Sequence, residues 1–241
     1  MKYKRYYLNQ EIILNSNVVI EGEEFIHLSS VMRSRVGEVV TLFNGDGYNY
    51  NGVITAINKK NAVIQIQEKQ ENQTEPKVKV TLFQALVKGD KLSTIVQKNT
   101  ELGTHEIVLF ESRFSDVKVG SKNLEKQQRV VVAACKQCGS STLLKVDKEI
   151  KFEELLKQIK SYDKVLFAYE NEEQNNISSL IQKLQNYQNI AVIVGAEGGF
   201  SEEEVQKLID SGAISISLGK RILRAETAGI VLPALVIMNN L

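Results

Sequence analysis

Residues that commonly carry covalent or metal chemistry are scarce in this chain. Of its 241 residues only two are cysteine, two histidine and two proline. His27 and His105 are too few and too far apart for a catalytic triad or a metal centre. Cys135 and Cys138 form a Cys-x-x-Cys, but two thiols without a nearby histidine do not complete a zinc site. They follow the helical pattern Val130–Ala134, so the pair reads as small side chains packed on one helix face, and no metal is expected. Charge of one sign is lacking too: 30 Lys and Arg against 29 Asp and Glu leave +1. That removes a global basic signal for nucleic acid, although local patches can act without a net excess. No apolar run approaches the ~20 residues of a membrane span, the longest, Ala228–Met238, being about half of that. Met1–Gln10 is polar, basic and aromatic, unlike a signal peptide, so a soluble cytoplasmic protein is expected. Neither a Walker A sequence nor a dinucleotide-binding G-x-G-x-x-G occurs, which argues against P-loop and nicotinamide chemistry.

What is present is 43% apolar residues, enough for a core in one large domain or two smaller ones. The first third reads as short strands and turns. Val39–Phe43, Val53–Ile57 and Ala62–Ile66 are apolar or alternating, with turns at Asn44–Gly47 and Asn58–Asn61. A helix is predicted over Glu23–Ser34. This β-rich unit reads as a small barrel, with Tyr3, Arg5, Tyr6 and Tyr7 as a strand packed on it and His27 as structural. Glu68–Lys77 is polar, contains Pro76, and reads as a linker.

Beyond it, strands and helices alternate. Strands are predicted at Val78–Ala85, Ile107–Phe110, Lys164–Ala168, Ile190–Val194 and Ile214–Leu218. Helices are predicted at Lys91–Leu102, Leu124–Cys138, Phe152–Ile159, Ile177–Leu184 and Glu202–Ile209. That alternation implies a parallel α/β sheet. Glu226–Leu241 reads as a buried helix, in which Pro233 predicts a kink or a late start.

Two segments following strands carry the chemistry. In Gly195-Ala196-Glu197-Gly198-Gly199-Phe200-Ser201 the glycines permit close backbone approach to a ligand. Ser201 and Glu204 match a capping box, and Phe200 and Val205 a hydrophobic staple. Glu202, Glu203 and Glu204 suit the positive helix end but would repel a phosphate there. The second segment is Leu218-Gly219-Lys220-Arg221-Ile222-Leu223-Arg224-Ala225-Glu226-Thr227. Both lie where open α/β sheets bind ligands, beyond the carboxyl ends of strands.

This pair of segments resembles the RsmE-type 16S rRNA uracil-N3 methyltransferases of the SPOUT superfamily. The resemblance extends to Phe25-Ile26-His27-Leu28 with Val31-Met32-Arg33, then Val36-Gly37-Glu38 and Leu42-Phe43-Asn44-Gly45. It continues through Lys88-Gly89-Asp90-Lys91, Gln97-Lys98, Glu101-Leu102-Gly103, Glu111-Ser112-Arg113 and Ala134-Cys135-Lys136-Gln137. The chain departs from the family in carrying Ala196 in place of the usual Pro. An acidic residue common near Ala133 is missing, and Ser140 stands where Arg is frequent. The resemblance implies an α/β fold with a small PUA-like β-barrel, an RNA-binding domain, over residues 1–72. It implies a SPOUT methyltransferase domain over 73–241 whose two C-terminal loops are threaded as a trefoil knot. S-adenosylmethionine would be the cofactor, 16S rRNA of the small ribosomal subunit the partner, and a homodimer the working form.

Methyl transfer needs a positioned donor and a nucleophilic acceptor. The resemblance assigns Gly195, Glu197, Gly198, Gly199, Leu218, Gly219, Ile222, Leu223 and Thr227 to cofactor binding. Uracil N3 is a poor nucleophile while protonated, so a base or stabilisation of the uracilate would help. Arg224 suits charge stabilisation, with Glu197 or Glu226 accepting a proton or orienting it. Glu226 equally suits a cap of the last helix, and Arg221 and Arg224 could be plain surface ion pairs. Arg33, Lys88, Lys98, Arg113, Arg129 and Gln137 are candidates for RNA contact, each basic one being open to a simpler reading as a solvated charge. The alternative function is a non-catalytic rRNA-binding or ribosome-assembly factor with the same fold.

Overall fold

The computed structural model describes residues 4–115 and 121–240, so Tyr3 lies outside the described residues. The chain divides into two compact units, Met1–Glu75 with Val132–Leu143, and Pro76–Val131 with Leu144–Leu241.

In the first unit, β1 (Lys4–Tyr7), β2 (Asn17–Glu21), β3 (Val39–Phe43), β4 (Tyr48–Ile57) and β5 (Asn61–Glu71) form one sheet in the order β1-β3-β4-β5-β2. β1 runs parallel to β3, and the other pairs are antiparallel. The edge strands β1 and β2 do not pair with each other, so the sheet is a half-barrel. Alternation decides its faces: Val18 and Ile20 of β2 and Ala62, Ile64 and Ile66 of β5 point inward with Tyr6, Leu42 and Ile54.

The polar stretch read as the start of a linker belongs partly to β5. Glu68–Glu71 pairs with Tyr48–Asn51. Lys69 Nζ lies 4.1 Å from the centre of the Tyr48 ring, so cross-strand aromatics stabilise a segment with no apolar signal of its own. The expected helix over Glu23–Ser34 is shorter: α1 (Gly22–Ile26) continues as a π-helical turn through Val31. The left-handed φ of Arg33, 48°, ends it, and the Ser34 hydroxyl meets Tyr6 Oη and Lys4 Nζ. His27 packs edge-on against Tyr6, and burial, then Lys136, push its pKa down.

Residues 132–143 complete this unit. The Arg5 guanidinium donates to Asn49 Oδ1, Ser140 O and Ser141 Oγ at 2.8–2.9 Å. Ser140 is buried and donates to Glu75, so this departure from the family is an internal contact. Cys135 is fully buried, and desolvation pushes its thiol up to about 12, as expected of a packing residue.

The second unit is a six-stranded, all-parallel sheet. Its strands are β6 (Lys79–Ala85), β7 (Glu106–Glu111), β8 (Lys145–Lys151), β9 (Lys164–Ala168), β10 (Asn189–Val194) and β11 (Ile214–Ile216). Their spatial order is β11-β9-β10-β6-β7-β8. β6 and β10 are buried almost throughout, which is why they read as continuous apolar runs. β8 has no such run. It is an edge strand, held in part by Lys145 bridging Glu106 and Asp147 at 2.6 and 2.7 Å.

The helices of this unit include α2 (Lys91–Leu102), α4 (Phe152–Gln158), α5 (Ile177–Leu180), α6 (Glu202–Asp210) and α7 (Ala225–Met238). The division between the units falls inside α3 (Ser121–Cys138). Pro233 is buried inside α7, which starts at Ala225. α7 packs on α2, β6 and β10. Among the described residues no helix is long and apolar enough to cross a membrane, and no group of His, Cys, Asp and Glu is arranged to hold a metal.

The predicted capping box at α6 is present. Glu204 accepts from Ser201 N and Oγ at 2.9 and 3.0 Å, and its other oxygen accepts from Arg113 N at 2.8 Å. One buried carboxylate therefore fixes the helix start and the turn after β7. Glu204→Ala is expected to lower unfolding stability by about 1–3 kcal/mol, through a lost cap and a stranded N–H. Urea denaturation should show a lower midpoint with an unchanged slope.

Candidate active site

Three chain segments leave the carboxyl edge of the second sheet side by side: Tyr169–Glu170 after β9, Gly195–Phe200 after β10 and Ser217–Arg224 after β11. Together with Lys91, Ala225 and Ala228 they line a cavity of about 530 Å³. The strand order makes this possible. β10 sits between β9 and β6, so its exit loop has a neighbour on each side.

The Gly195–Phe200 loop is a tight turn, with Gly199 N donating to Ala196 O at 3.0 Å. Gly199 has φ +68°, and a Cβ there would stand 2.5 Å from Glu170 Oε1. A Cβ on Gly195 would press at 3.2 Å on the Gly199 carbonyl and the Phe200 ring. The left-handed φ holds position 199 to glycine, and position 195 is tightly packed. Phe200 anchors it below, stacked on Phe110 with centroids 6.4 Å apart and edge-on to Phe167 at 6.1 Å. Ala196 is buried in that same cluster. The buried amide of Gln84 donates toward Gly195 O at 3.3 Å.

The structure brings together most of the residues singled out from sequence. Gly195, Glu197, Gly198, Gly199, Leu218, Gly219, Ile222, Leu223 and Arg224 all line the cavity. Ile222 is 85% exposed, so it covers the mouth. Glu226 and Thr227, in the first turn of α7, are outside the lining. Glu226 is no N-cap: that position is Arg224, without a side-chain cap bond.

The carboxylates differ. Glu197 accepts from Lys91 Nζ at 2.7 Å and Lys88 N at 3.1 Å. Burial alone would raise its pKa, but these bonds outweigh it and hold the group below the usual carboxylate range. Glu226 Oε2 is buried without a hydrogen bond, its nearest cation being Lys91 Nζ at 3.8 Å, an ion-pair distance. Its other oxygen lies 4.0 Å from Arg224 Nη1. The Arg224 side chain is 83% exposed, a cation at the cavity mouth.

Of the RNA candidates in this unit, Lys98 pairs with Glu101 at 2.8 Å and Arg113 with Glu203 at 3.5 Å. Lys88 and Arg129 are exposed, as are Arg33 and Gln137 in the first unit. Sequence reasoning gave no role to Lys91, Tyr169, Glu170 or Ser217. Tyr169 and Glu170 directly follow a strand that the sequence marks, so their place at the carboxyl edge was a readable signal.

The cavity can hold a compact ligand with an apolar part against Val194, Leu218 and Leu223 and polar edges against loop backbone. A family model described as RNA methyltransferase domain matches residues 73–237, and one described as RNA methyltransferase PUA domain matches 20–67. Ribosomal RNA small subunit methyltransferase E of Bacillus subtilis is 31% identical over 93% of this chain and 92% of its own length. The Rickettsia conorii protein of that name is 34% identical, over 95% and 93%. The crystal structure of a ribosomal RNA small subunit methyltransferase E from Neisseria gonorrhoeae bound to S-adenosyl methionine is 30% identical, with a TM-score of 0.87 over 96% of this chain and 95% of that one. With both domain models and full-length relatives in agreement, the chain belongs to the ribosomal RNA small subunit methyltransferase E family of RNA methyltransferases.

Proposed function

We propose that this protein methylates N3 of one uridine in the 16S rRNA of the small ribosomal subunit, with S-adenosylmethionine as donor. The observation that carries the reading is the cavity built from Gly195–Phe200 and Ser217–Arg224, where a Cβ on Gly199 would meet Glu170. Its size suits a nucleoside-sized ligand of the ~300–1,000 Å³ class. The donor set fits S-adenosylmethionine: loop backbone for adenine and amino-acid edges, and Leu218 and Leu223 for the ring. That the Neisseria relative was crystallised with this molecule supports the same occupant here. Bound there, it supplies a methyl group activated by a sulfonium.

The residues of the chain do the rest. Arg224 at the mouth offers fixed donors to the carbonyl on which charge grows as N3 loses its proton. Glu197 stays ionised and well paired, so it serves to hold Lys91 and the Lys88–Lys91 turn against the glycine loop. Glu226 keeps an oxygen without a hydrogen bond and a neighbour in Arg224, which suits it to steer the guanidinium or accept the proton. The uridine must be turned out of its stack for N3 to reach the methyl.

We assign residues 1–72 to RNA holding and 73–241 to transfer, with phosphate contacts from Arg33, Lys88, Lys98, Arg113 and Arg129, and a polar contact from Gln137. A knotted path is supported by the return of α7 onto β6, β10 and α2, after β11 has added beyond β9. Such a substrate puts the reaction in the cytoplasm. The working form is a homodimer, for which α7 offers Ile230, Val231, Ala234 and Leu235 half-exposed and Met238 61% exposed.

Three outcomes test this reading. Gly199→Val should keep the fold by circular dichroism but weaken S-adenosylhomocysteine binding by more than about 10-fold in titration calorimetry, through strain and lost ligand space. Arg224→Ala should leave that affinity unchanged and lower kcat by about 100- to 1,000-fold on unmodified small subunits. The reaction is read as a reverse-transcriptase stop, because a methyl on N3 removes a pairing donor. Cofactor binding without any stop would favour the non-catalytic assembly factor. Leu235→Glu should convert a dimer sedimenting at micromolar concentration into monomer.

A further inference from the structure

Phe114 sits on the turn after β7, directly beside the glycine loop. Its Cβ, Cγ and Cδ2 rest on Gly198 so closely that a Cβ on that glycine would stand 2.9 Å from the Phe114 Cβ. Gly198 itself lines the cavity, so Phe114 packs on a residue of the cavity wall. The ring is nevertheless 45% exposed. Its neighbours in sequence and space behave otherwise: Phe110 is fully buried and Phe200 is 6% exposed.

This exposure does not come from a loose segment. The Ser115 N–H donates to Ser112 O at 3.0 Å, and the two hydroxyls meet at 2.9 Å. The intervening Arg113 N–H is pinned to Glu204 at the start of α6. A large aromatic side chain is thus held out of the core, at a fixed position, next to the loop on which transfer depends. Arg113 points from the same turn with a 63% exposed side chain. Half-exposing a phenylalanine forgoes apolar burial that a small polar residue on this turn would not need.

We infer that Phe114 is a stacking platform for the extruded target base, with Arg113 beside it for the adjoining phosphate. The inference rests on the methyltransferase reading of the cavity. A base leaving its helical stack loses the π-contacts on both faces, and an aromatic ring restores one of them. A pyrimidine lying on Phe114 would be positioned at the glycine loop without any hydrogen bond that depends on which base it is. Selection of uracil then falls to groups at its edge, and Phe114 contributes orientation alone. It is a positioning residue whose loss weakens productive substrate binding and leaves cofactor binding intact.

The absence of tryptophan from the chain makes a direct test available. Phe114→Trp introduces a single tryptophan whose emission is quenched when a base stacks on it. Addition of protein-free small-subunit rRNA, which carries no tryptophan, to this variant with S-adenosylhomocysteine bound should quench it. Phe114→Leu covers Gly198 with a side chain of similar bulk but no π-face. It should lower kcat/KM for subunits at least about 10-fold, the loss expected for one stacking contact. Its affinity for S-adenosylhomocysteine and its melting temperature should not change. Wild-type kcat/KM in Phe114→Leu, or unchanged Phe114→Trp emission with protein-free rRNA that the same variant binds, would overturn the proposal. If the unmodified protein methylates no uridine, the methyltransferase reading itself fails. Quenching of Phe114→Trp by a short uridine-rich single strand would then still support a base-stacking surface, and its absence would overturn that as well.

Discussion

The turn from Gly195 to Phe200 is packed tightly around two glycines, and the carboxyl edge of the second unit is arranged about it. The Gly195 backbone lies against the Gly199 carbonyl and the Phe200 ring, while Gly199 adopts a left-handed φ beside Glu170. Phe200 is drawn into the aromatic cluster with Phe110 and Phe167, which fixes the turn to β7 and β9 from beneath. Because β10 lies between β9 and β6, the turn opens at the middle of the carboxyl edge. Backbone groups of such a turn can meet a ligand closely without demanding net charge. A chain carrying +1 overall can therefore serve such a site.

Charge is used locally. Glu204 joins α6 to the turn after β7 through three hydrogen bonds. Glu197 ties Lys91 and the Lys88 backbone to the glycine loop. Both carboxylates are engaged by several donors, whereas Glu226 keeps a buried oxygen without a hydrogen bond and Arg224 is exposed at the cavity. The contrast is in their donors: Glu204 and Glu197 hold segments in place through several hydrogen bonds, and Glu226 has an oxygen with none.

Long, strongly apolar elements were legible in the sequence. β6, β9 and β10 and the helix Lys91–Leu102 fall within a residue or so of their expected bounds, because burial on both faces or a full amphipathic turn pattern leaves a mark. The capping box at Ser201 and Glu204 was legible for the same reason: its hydrogen bonds are local. β8 and the end of β5 were not. Their pairing is set by partners distant in sequence, Glu106 for Lys145 and Tyr48 for Lys69, and neither segment carries an apolar run. Strand order was equally out of reach, since nothing in periodicity says that β10 inserts between β9 and β6. The glycine segments do line the cavity, yet Tyr169, Glu170 and Lys91 join it only through that order. Thr227, in contrast, has the right sequence neighbourhood, but in the structure it lies outside the cavity lining.

The central claim is that a cavity of bare loop backbone delivers a methyl group to N3 of a single uridine. Nucleoside mass spectrometry tests it most directly, on small-subunit rRNA incubated with the protein and isotopically labelled S-adenosylmethionine. The account predicts one labelled 3-methyluridine per subunit. Label found on a ribose 2′-oxygen, on a guanine, or on no nucleoside at all would contradict it.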